Sequence, residues 1–322
     1  MMLKRFICVL LALCISVYLL CGCAGRRELD KGYMLTAIGF ELEGEAFKVT
    51  AELLSVSDMQ EDSPKPQVMS AIGVTPQNAL YNLSLNFPRA VYFDHCATLV
   101  IGGGIEGERF KAVIDYCAEA ENLNLNMRVI NSSDIQTLFN TPTVSAAVGY
   151  HIMRLLSFKE KESGLEYTSR FYEIKNTSDK TLLLPSFIGG EEITLEGSVV
   201  FKDRKPFLNL NNTESIAYAF ISGGFKEGRV SVGTEYADIK RVKYQFVAKE
   251  ETGTINAQIT ATLSAADITE GFDAALQSET EALLLKAQGE DIFMIEKRAI
   301  ARGMISDSVP QKTEIKYRVE QK

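Results

Sequence analysis

Three patterns of apolar and polar residues follow one another along the chain. Behind Lys4 and Arg5 runs an almost unbroken apolar stretch from Phe6 to Leu20. A charged head before such a run is the build of a secretory signal peptide, an n-region and an h-region. At about 15 residues it falls short of the ~20 that a bilayer-spanning helix needs. Ala24 to Asp30 is polar and reads as a tether.

From Tyr33 the pattern is that of a mixed domain. Tyr33 to Phe40 is apolar with Gly39 inside it, and Phe47, Val49, Ala51 and Leu53 alternate with Lys48, Thr50 and Glu52. Period two with a turn at Gly44 predicts a β-hairpin. Ser55 to Ser70, polar and carrying Pro64 and Pro66, reads as a solvent loop. Thr75 and Pro76 suit the cap and first position of a helix whose buried stripe is Ala79, Leu80, Leu83 and Phe87, ended by Pro88. Ala90 to Ile101 predicts an interior strand, and Glu108 to Ala120 a helix with Phe110, Val113, Ile114 and Cys117 on one face. Leu125 to Ile130 reads as a strand, and Ser133 with Gln136 as a capping box.

The third pattern begins after a helix predicted over Val144 to Phe158, a charged helix end at Lys159 to Glu162, and a second helix over Tyr167 to Ile174. The Gly189-Gly190 turn places a boundary near residue 190. Beyond it Leu195 to Phe201, Ser215 to Ser222, Ile239 to Ala248 and Ile255 to Leu263 read as strands. From Thr269 the period lengthens through Phe272, Leu276, Leu283, Leu284 and Ile295 to Ile300, predicting one long helix with a break at Gly289. Thr313 to Val319 gives a last strand. The fold class expected is α+β and multidomain: a mixed N-terminal region, then an antiparallel-rich sheet packed on a long helix. The expected division is a signal peptide over 1–22, an N-terminal domain over 23–190 with a subdivision near 142, and a C-terminal domain over 191–322.

Leu20-Cys21-Gly22-Cys23 closes the apolar leader. A small residue directly before a cysteine, with leucine three places ahead of it, resembles the lipobox of bacterial lipoproteins. That resemblance implies acylation of the Cys23 thiol and cleavage after Gly22. An uncleaved leader and cleavage at another site are the competing readings. Each buried CH2 contributes about 0.8 kcal/mol and a single chain holds only marginally, so two or three chains are needed for lasting attachment.

Loss of residues 1–22 removes Lys4 and Arg5 and leaves 32 basic against 42 acidic residues, a formal charge of −10 against −8 for the whole chain. An acidic body argues against nucleic-acid binding and against attraction to anionic lipid, which leaves attachment to the acyl chains. Of six cysteines, only Cys96 and Cys117 stay as free thiols after processing at Cys23. They read as small core residues, with a single disulfide open to them in an extracytoplasmic setting.

Several words of the sequence are familiar together. Arg26-Arg27-Glu28-Leu29 past the lipobox, Ala37-Ile38-Gly39-Phe40, Phe87-Pro88-Arg89-Ala90-Val91-Tyr92-Phe93 leading to His95, and Val100-Ile101-Gly102 resemble the Ger(x)C family. So do Ile193 to Lys202, Asn209-Leu210-Asn211 and Glu214. These are C subunits of spore germinant receptors. The family commonly has Trp-Asp after the lipidated cysteine, whereas Ala24-Gly25 stands here and the chain has no tryptophan.

No constellation in the sequence demands a cofactor or metal. Gly102-Gly103-Gly104-Ile105-Glu106-Gly107 satisfies G-x-G-x-x-G between a strand and a helix. Glu106 and Glu108 would repel a pyrophosphate there, the next strand ends without an acidic residue for a ribose, and a hairpin precedes it; the stretch reads as a glycine-rich turn. His95 and His151 lack further ligands at metal-binding spacing, and His95 reads as a hydrogen-bonded structural residue. Glu191-Glu192 and Glu250-Glu251 read as solvated surface, as does Lys159 to Glu162, a docking patch being the sharper reading of that run. G-x-S-x-G, H-E-x-x-H and P-loop patterns are missing from the sequence.

The family resemblance implies a non-enzymatic, lipid-anchored C subunit of a nutrient germinant receptor. It would sit on the outer face of the spore inner membrane beside integral-membrane A and B subunits and be required for germinant-triggered germination. Neither direct germinant contact nor a scaffold role follows from the residues. The rival from another class, a solute-binding lipoprotein of an ABC transporter, predicts two doubly wound lobes around a cleft. A lipid-anchored hydrolase would need a nucleophile and base that the sequence does not cluster.

Overall fold

The structure is a computed structural model that describes residues 32–55, 66–88, 90–120, 123–145, 147–177, 181–251, 254–288, 290–304 and 311–321. The leader, the lipobox with Cys23, the tether, Arg26 to Leu29, most of the loop after Ser55, Arg89 and Gly289 lie outside the described residues.

The expected hairpin forms from β1 (Tyr33–Glu43) and β2 (Ala46–Ser55), with Gly44 at φ 63° in the two-residue turn. The supposed solvent loop ends earlier than its composition suggested. Gln67–Gly73 is β3, antiparallel to β2 from Gln67↔Leu53 to Gly73↔Phe47. Thr75 caps α1 (Pro76–Ser84), its hydroxyl accepting from the Asn78 N–H at 3.1 Å. The apolar run near residue 100 yields two short strands, β4 (Val91–Tyr92) and β5 (Thr98–Ile101), both parallel to β1. Next come α2 (Glu108–Glu119), β6 (Arg128–Asn131) parallel to β5, α3 (Ile135–Asn140), α4 (Val148–Ser163) and α5 (Phe171–Asn176).

Two helix starts differ from the sequence reading. Asp134, not Ser133, caps α3, since its carboxylate accepts both the N–H and the hydroxyl of Thr137. Helix α4 starts at Val148 rather than Val144, whose side chain is exposed. Lys159 to Glu162 lies inside the last turns of α4, and the second helix begins only at Phe171, with Tyr167 buried ahead of it.

The chain crosses residue 190 inside a hairpin. Strand β7 (Thr181–Ile188) pairs with β8 (Thr194–Lys202), which pairs with β9 (Lys205–Asn211). The resulting nine-stranded sheet has the order β3-β2-β1-β5-β6-β7-β8-β9, with β4 beside β1. Its inner strands send alternate side chains into two cores. Ala37, Val100, Ile130 and Val200 face one core, and Ile38, Leu99, Val129 and Val199 the other. Such two-sided burial explains the near-continuous apolar runs in these strands.

Ser215 to Ser222 is not a strand. It belongs to α6 (Asn212–Ser222), in which Ile216, Ala217, Tyr218, Ala219, Phe220 and Ile221 are all buried. A helix covered on every side shows no 3.6-residue stripe, so periodicity cannot tell it from an interior strand. Its start is fixed by a full capping box, Asn211 accepting from the Glu214 N–H and Glu214 from the Asn211 N–H.

A second sheet, β10 (Gly228–Val232), β11 (Glu235–Glu251), β12 (Thr254–Ile268) and β13 (Gln311–Gln321), completes the described fold. Its first three strands are antiparallel, and β13 joins parallel to β12. The single long helix divides into α7 (Phe272–Lys286) and α8 (Ile295–Ala301). One core cluster runs from the first sheet through α6 and α7 into the second. The protein is therefore α+β, with two sheets rather than the two doubly wound lobes of a solute-binding lipoprotein.

Candidate functional site

The words that resemble a family are neighbours in the sheet. Ala37 to Phe40 on β1 lies register to register beside Thr98 to Ile101 on β5, Ala37 opposite Thr98 and Phe40 opposite Ile101. Val91 and Tyr92 flank the start of β1, where the Tyr33 N–H donates to the Ala90 carbonyl at 2.9 Å and the Tyr33 and Phe87 rings lie 6.2 Å apart. Ile193 to Lys202 forms β8, and Asn211 with Glu214 is the capping box of α6.

At the centre stands a polar joint that the sequence did not reveal. The register of β1 against β2 slips between Leu35 and Ala37. A bulge of this kind re-aims a side chain, and Thr36 donates its hydroxyl proton to Glu52 Oε2 at 2.6 Å. The same carboxylate accepts from the first amides of α4, Val148 N–H at 2.6 Å and Gly149 N–H at 2.9 Å. Ala147, the cap residue of α4, offers no side-chain hydrogen bond, so Glu52 caps the helix from the sheet. The Thr98 hydroxyl closes the joint by donating to the Gly149 carbonyl at 2.9 Å. Gly149 must be glycine, because a Cβ there would lie 2.1 Å from the Thr36 carbonyl oxygen. Thr36, Glu52 and Thr98 are fully buried. Burial pushes the Glu52 carboxyl above the usual range, while the Gly149 N–H, the Thr36 hydroxyl and the Val148 N–H pull it back. Alternation had assigned Thr50 and Glu52 to a polar face, but α4 reaches Glu52 from far along the chain and Thr50 bonds the Ser70 hydroxyl on β3.

A second joint holds the other end of α4. Arg128 on β6 pairs with Glu160 at 2.9 Å and donates to the Ser169 hydroxyl at 2.7 Å, both side chains of the pair being mostly covered. Burial raises the Glu160 carboxyl and Arg128 opposes it. The Lys159 to Glu162 run is therefore not simply solvated. Around this pair opens a cleft of about 500 Å³ that Tyr167, Arg170 and Glu173 also line, with Arg170 and Glu173 paired to each other at 3.5 Å. Another, of about 540 Å³, lies between α4, β8 and α6 against Leu155, Lys159, Ile193, Asn212 and Ile216.

The remaining candidates occupy plain positions. β5, α2 and β6 form a parallel βαβ unit, but the Gly107 N–H at the head of α2 already donates to the Arg204 carbonyl at 2.8 Å. Gly104 sits at φ 77° against Leu42. His95 is half-exposed in a turn, its ring 3.8 Å from Asp94, and its carbonyl accepts from the Tyr150 hydroxyl at 3.4 Å. Burial lowers the pKa of His151 on α4. Cys96 and Cys117 are buried free thiols, burial pushing that of Cys96 up to about 12 and raising Cys117 as well. Among the described residues no group of His, Cys, Asp or Glu could hold a metal ion. Among them, too, no helix is long and apolar enough to cross a membrane.

Fold and site together define an α+β protein whose buried ionisable groups act as structural joints between sheet and helix. A family model described as the spore germination protein N-terminal domain matches residues 25–187. That match spans half of the chain, and the chain belongs to the family, the Ger(x)C proteins that its sequence words resemble. The crystal structure of the GerBC protein is similar over 88% of this chain and 98% of its own, at 12% identity and a TM-score of 0.46. No curated protein matches the chain.

Proposed function

We propose that this protein is the lipid-anchored C subunit of a spore nutrient germinant receptor. Membership of the spore germination family over residues 25–187 carries the reading. Cys23, behind Leu20, Cys21 and Gly22, is the anchoring residue, acylated after removal of residues 1–22. Two or three acyl chains supply lasting attachment for an acidic body that anionic lipid would not attract. The protein stands on the outer face of the spore inner membrane beside integral-membrane A and B subunits. Confinement to that layer raises its effective concentration toward partners in the same plane. Its role is non-enzymatic, and the Arg128–Glu160 and Glu52 groups hold the fold rather than a substrate. A division near residue 190 belongs to the same reading; the family match covers residues 25–187, and the first sheet runs on through β8 and β9.

Deletion of the gene, in a strain with no redundant receptor, abolishes germination in nutrient mixtures; a normal response to every nutrient overturns the reading. Cys23→Ala releases the protein from the membrane fraction. Mass spectrometry of the mature N-terminus finds an acylated Cys23, and an unmodified cysteine or another start removes the anchor.

A further inference from the structure

From Ser63 to Phe93 the sequence holds no Asp or Glu, in a chain that carries 42 of them. The described part of that run forms one rim of the molecule, where β3 is the outermost strand of the large sheet and α1 packs along it. Asn82 on α1 ties the two together by donating to the Ile72 carbonyl at 2.8 Å. The rim also carries apolar side chains on its outside. Tyr81 and Leu85, one helical turn apart and so on the same side of α1, are 60% and 66% exposed, and Ile72 and Val74 at the end of β3 are 45% and 78% exposed. The polar residues of α1 and its end, Gln77, Asn78, Asn82, Ser84 and Asn86, are uncharged.

The rim leads directly to the point where the chain enters the fold. Two residues after Leu85, Phe87 packs its ring against Tyr33, the first residue of β1. The nine residues from Cys23 to Lys31 can span no more than about 30 Å even when fully extended. A tether of that reach keeps this corner close to the surface that holds the acyl chains. Tyrosine and leucine on an uncharged helix suit the headgroup boundary, where amphipathic rings settle and an apolar face sinks a few ångströms. Elsewhere the acidic surface is repelled by anionic lipid.

We propose that the rim of β3 and α1, with Tyr81 and Leu85 at its crest, rests on the lipid surface and fixes the orientation of the anchored protein. This rests on the proposed acylation of Cys23. The test uses the full acylated protein in vesicles of phosphatidylglycerol and phosphatidylethanolamine containing nitroxide-bearing lipid. A fluorophore is placed by Leu85→Cys or, as the control, by Leu285→Cys on α7, where the leucine is equally free of the core at 80% exposed. The buried Cys96 and Cys117 do not compete for the label. The label at 85 loses most of its emission and that at 285 keeps it, and Tyr81→Glu restores emission at 85. Equal emission at both sites, with the protein still floating with the vesicles, overturns the rim and leaves the anchor standing. Protein that does not float removes the anchor and the rim with it. A label that is unquenched in lipid vesicles but shielded in native spore membranes reassigns the rim to a protein partner and overturns the lipid surface.

Discussion

Glu52 on β2 receives the Gly149 N–H of α4 at 2.9 Å, so a carboxylate from the sheet caps a helix that begins 96 residues later in the chain. Three donors converge on this group, which is fully buried. Glu52→Ala leaves two buried amides and a hydroxyl without their acceptor. At ~1–3 kcal/mol for each group left unsatisfied, the expected loss is about 3 kcal/mol or more, read as a lower urea midpoint. Glu52→Gln keeps the volume but turns an acceptor into a donor facing an N–H, and costs about 1–2 kcal/mol.

The pH dependence of that pair has a definite sign. The folded-state pKa of Glu52 lies above the ordinary value of 4.5. The folded state therefore binds the proton more tightly, and the contribution is full below 4.5 and lost as pH rises through the folded pKa. The stability gap between the native protein and Glu52→Gln should narrow from acid toward neutral pH in paired urea titrations. A gap that widens instead would mean that the three donors outweigh burial.

Gly164, at the end of α4 with φ 66°, lies against Gly228 at the start of β10, where the second sheet meets the first region. A Cβ on Gly164 would come within 1.7 Å of the Glu227 carbonyl oxygen. Gly164→Ala combines a left-handed backbone with an overpacked contact and costs about 3 kcal/mol. Gly190→Ala, where a Cβ meets nothing within 4 Å, is the matched control and leaves the melting temperature nearly unchanged.

Arg128→Ala leaves the mostly covered Glu160 facing its cleft without a counter-charge. The expected cost is about 2–3 kcal/mol at neutral pH. Arg128→Ala with Glu160→Ala should recover part of it, which a double-mutant cycle by denaturant titration measures. Equal costs for the single and double variants would mean that the arginine acts through its bond to Ser169 rather than through the ion pair.

The thiols of Cys96 and Cys117 should be silent toward a thiol reagent in the folded protein, because burial both blocks access and suppresses the thiolate. Both should react fully in denaturant without prior reduction. Reactivity of one thiol in native buffer would show an opening at β5 or α2.

The hairpin of β1 and β2 and the start of α1 were legible because local chemistry specifies them: alternation with a glycine turn, and a threonine before a proline. Helix α6 was misread as a strand because Ile216 to Ile221 is buried on every side and carries no stripe. Its signal lay one step upstream, in the Asn211 and Glu214 pair that makes the capping box. Strand β3 was hidden by the polar, proline-bearing loop that precedes it, and the ion pair of Arg128 with Glu160 by the charged neighbours of Glu160.

By itself the sequence determined the lineage, the α+β class and most of the individual elements. Each of these depends on residues close together, through spacing, caps and turns whose energies are local. Tertiary structure decided which polar residues are buried. Glu52 looks like any outward-facing residue of a half-exposed strand until α4 arrives over it, and only then does a carboxylate become the acceptor for a helix. Sequence distance hides that pairing, since the desolvation that makes Glu52 matter is produced by segments far from it in the chain.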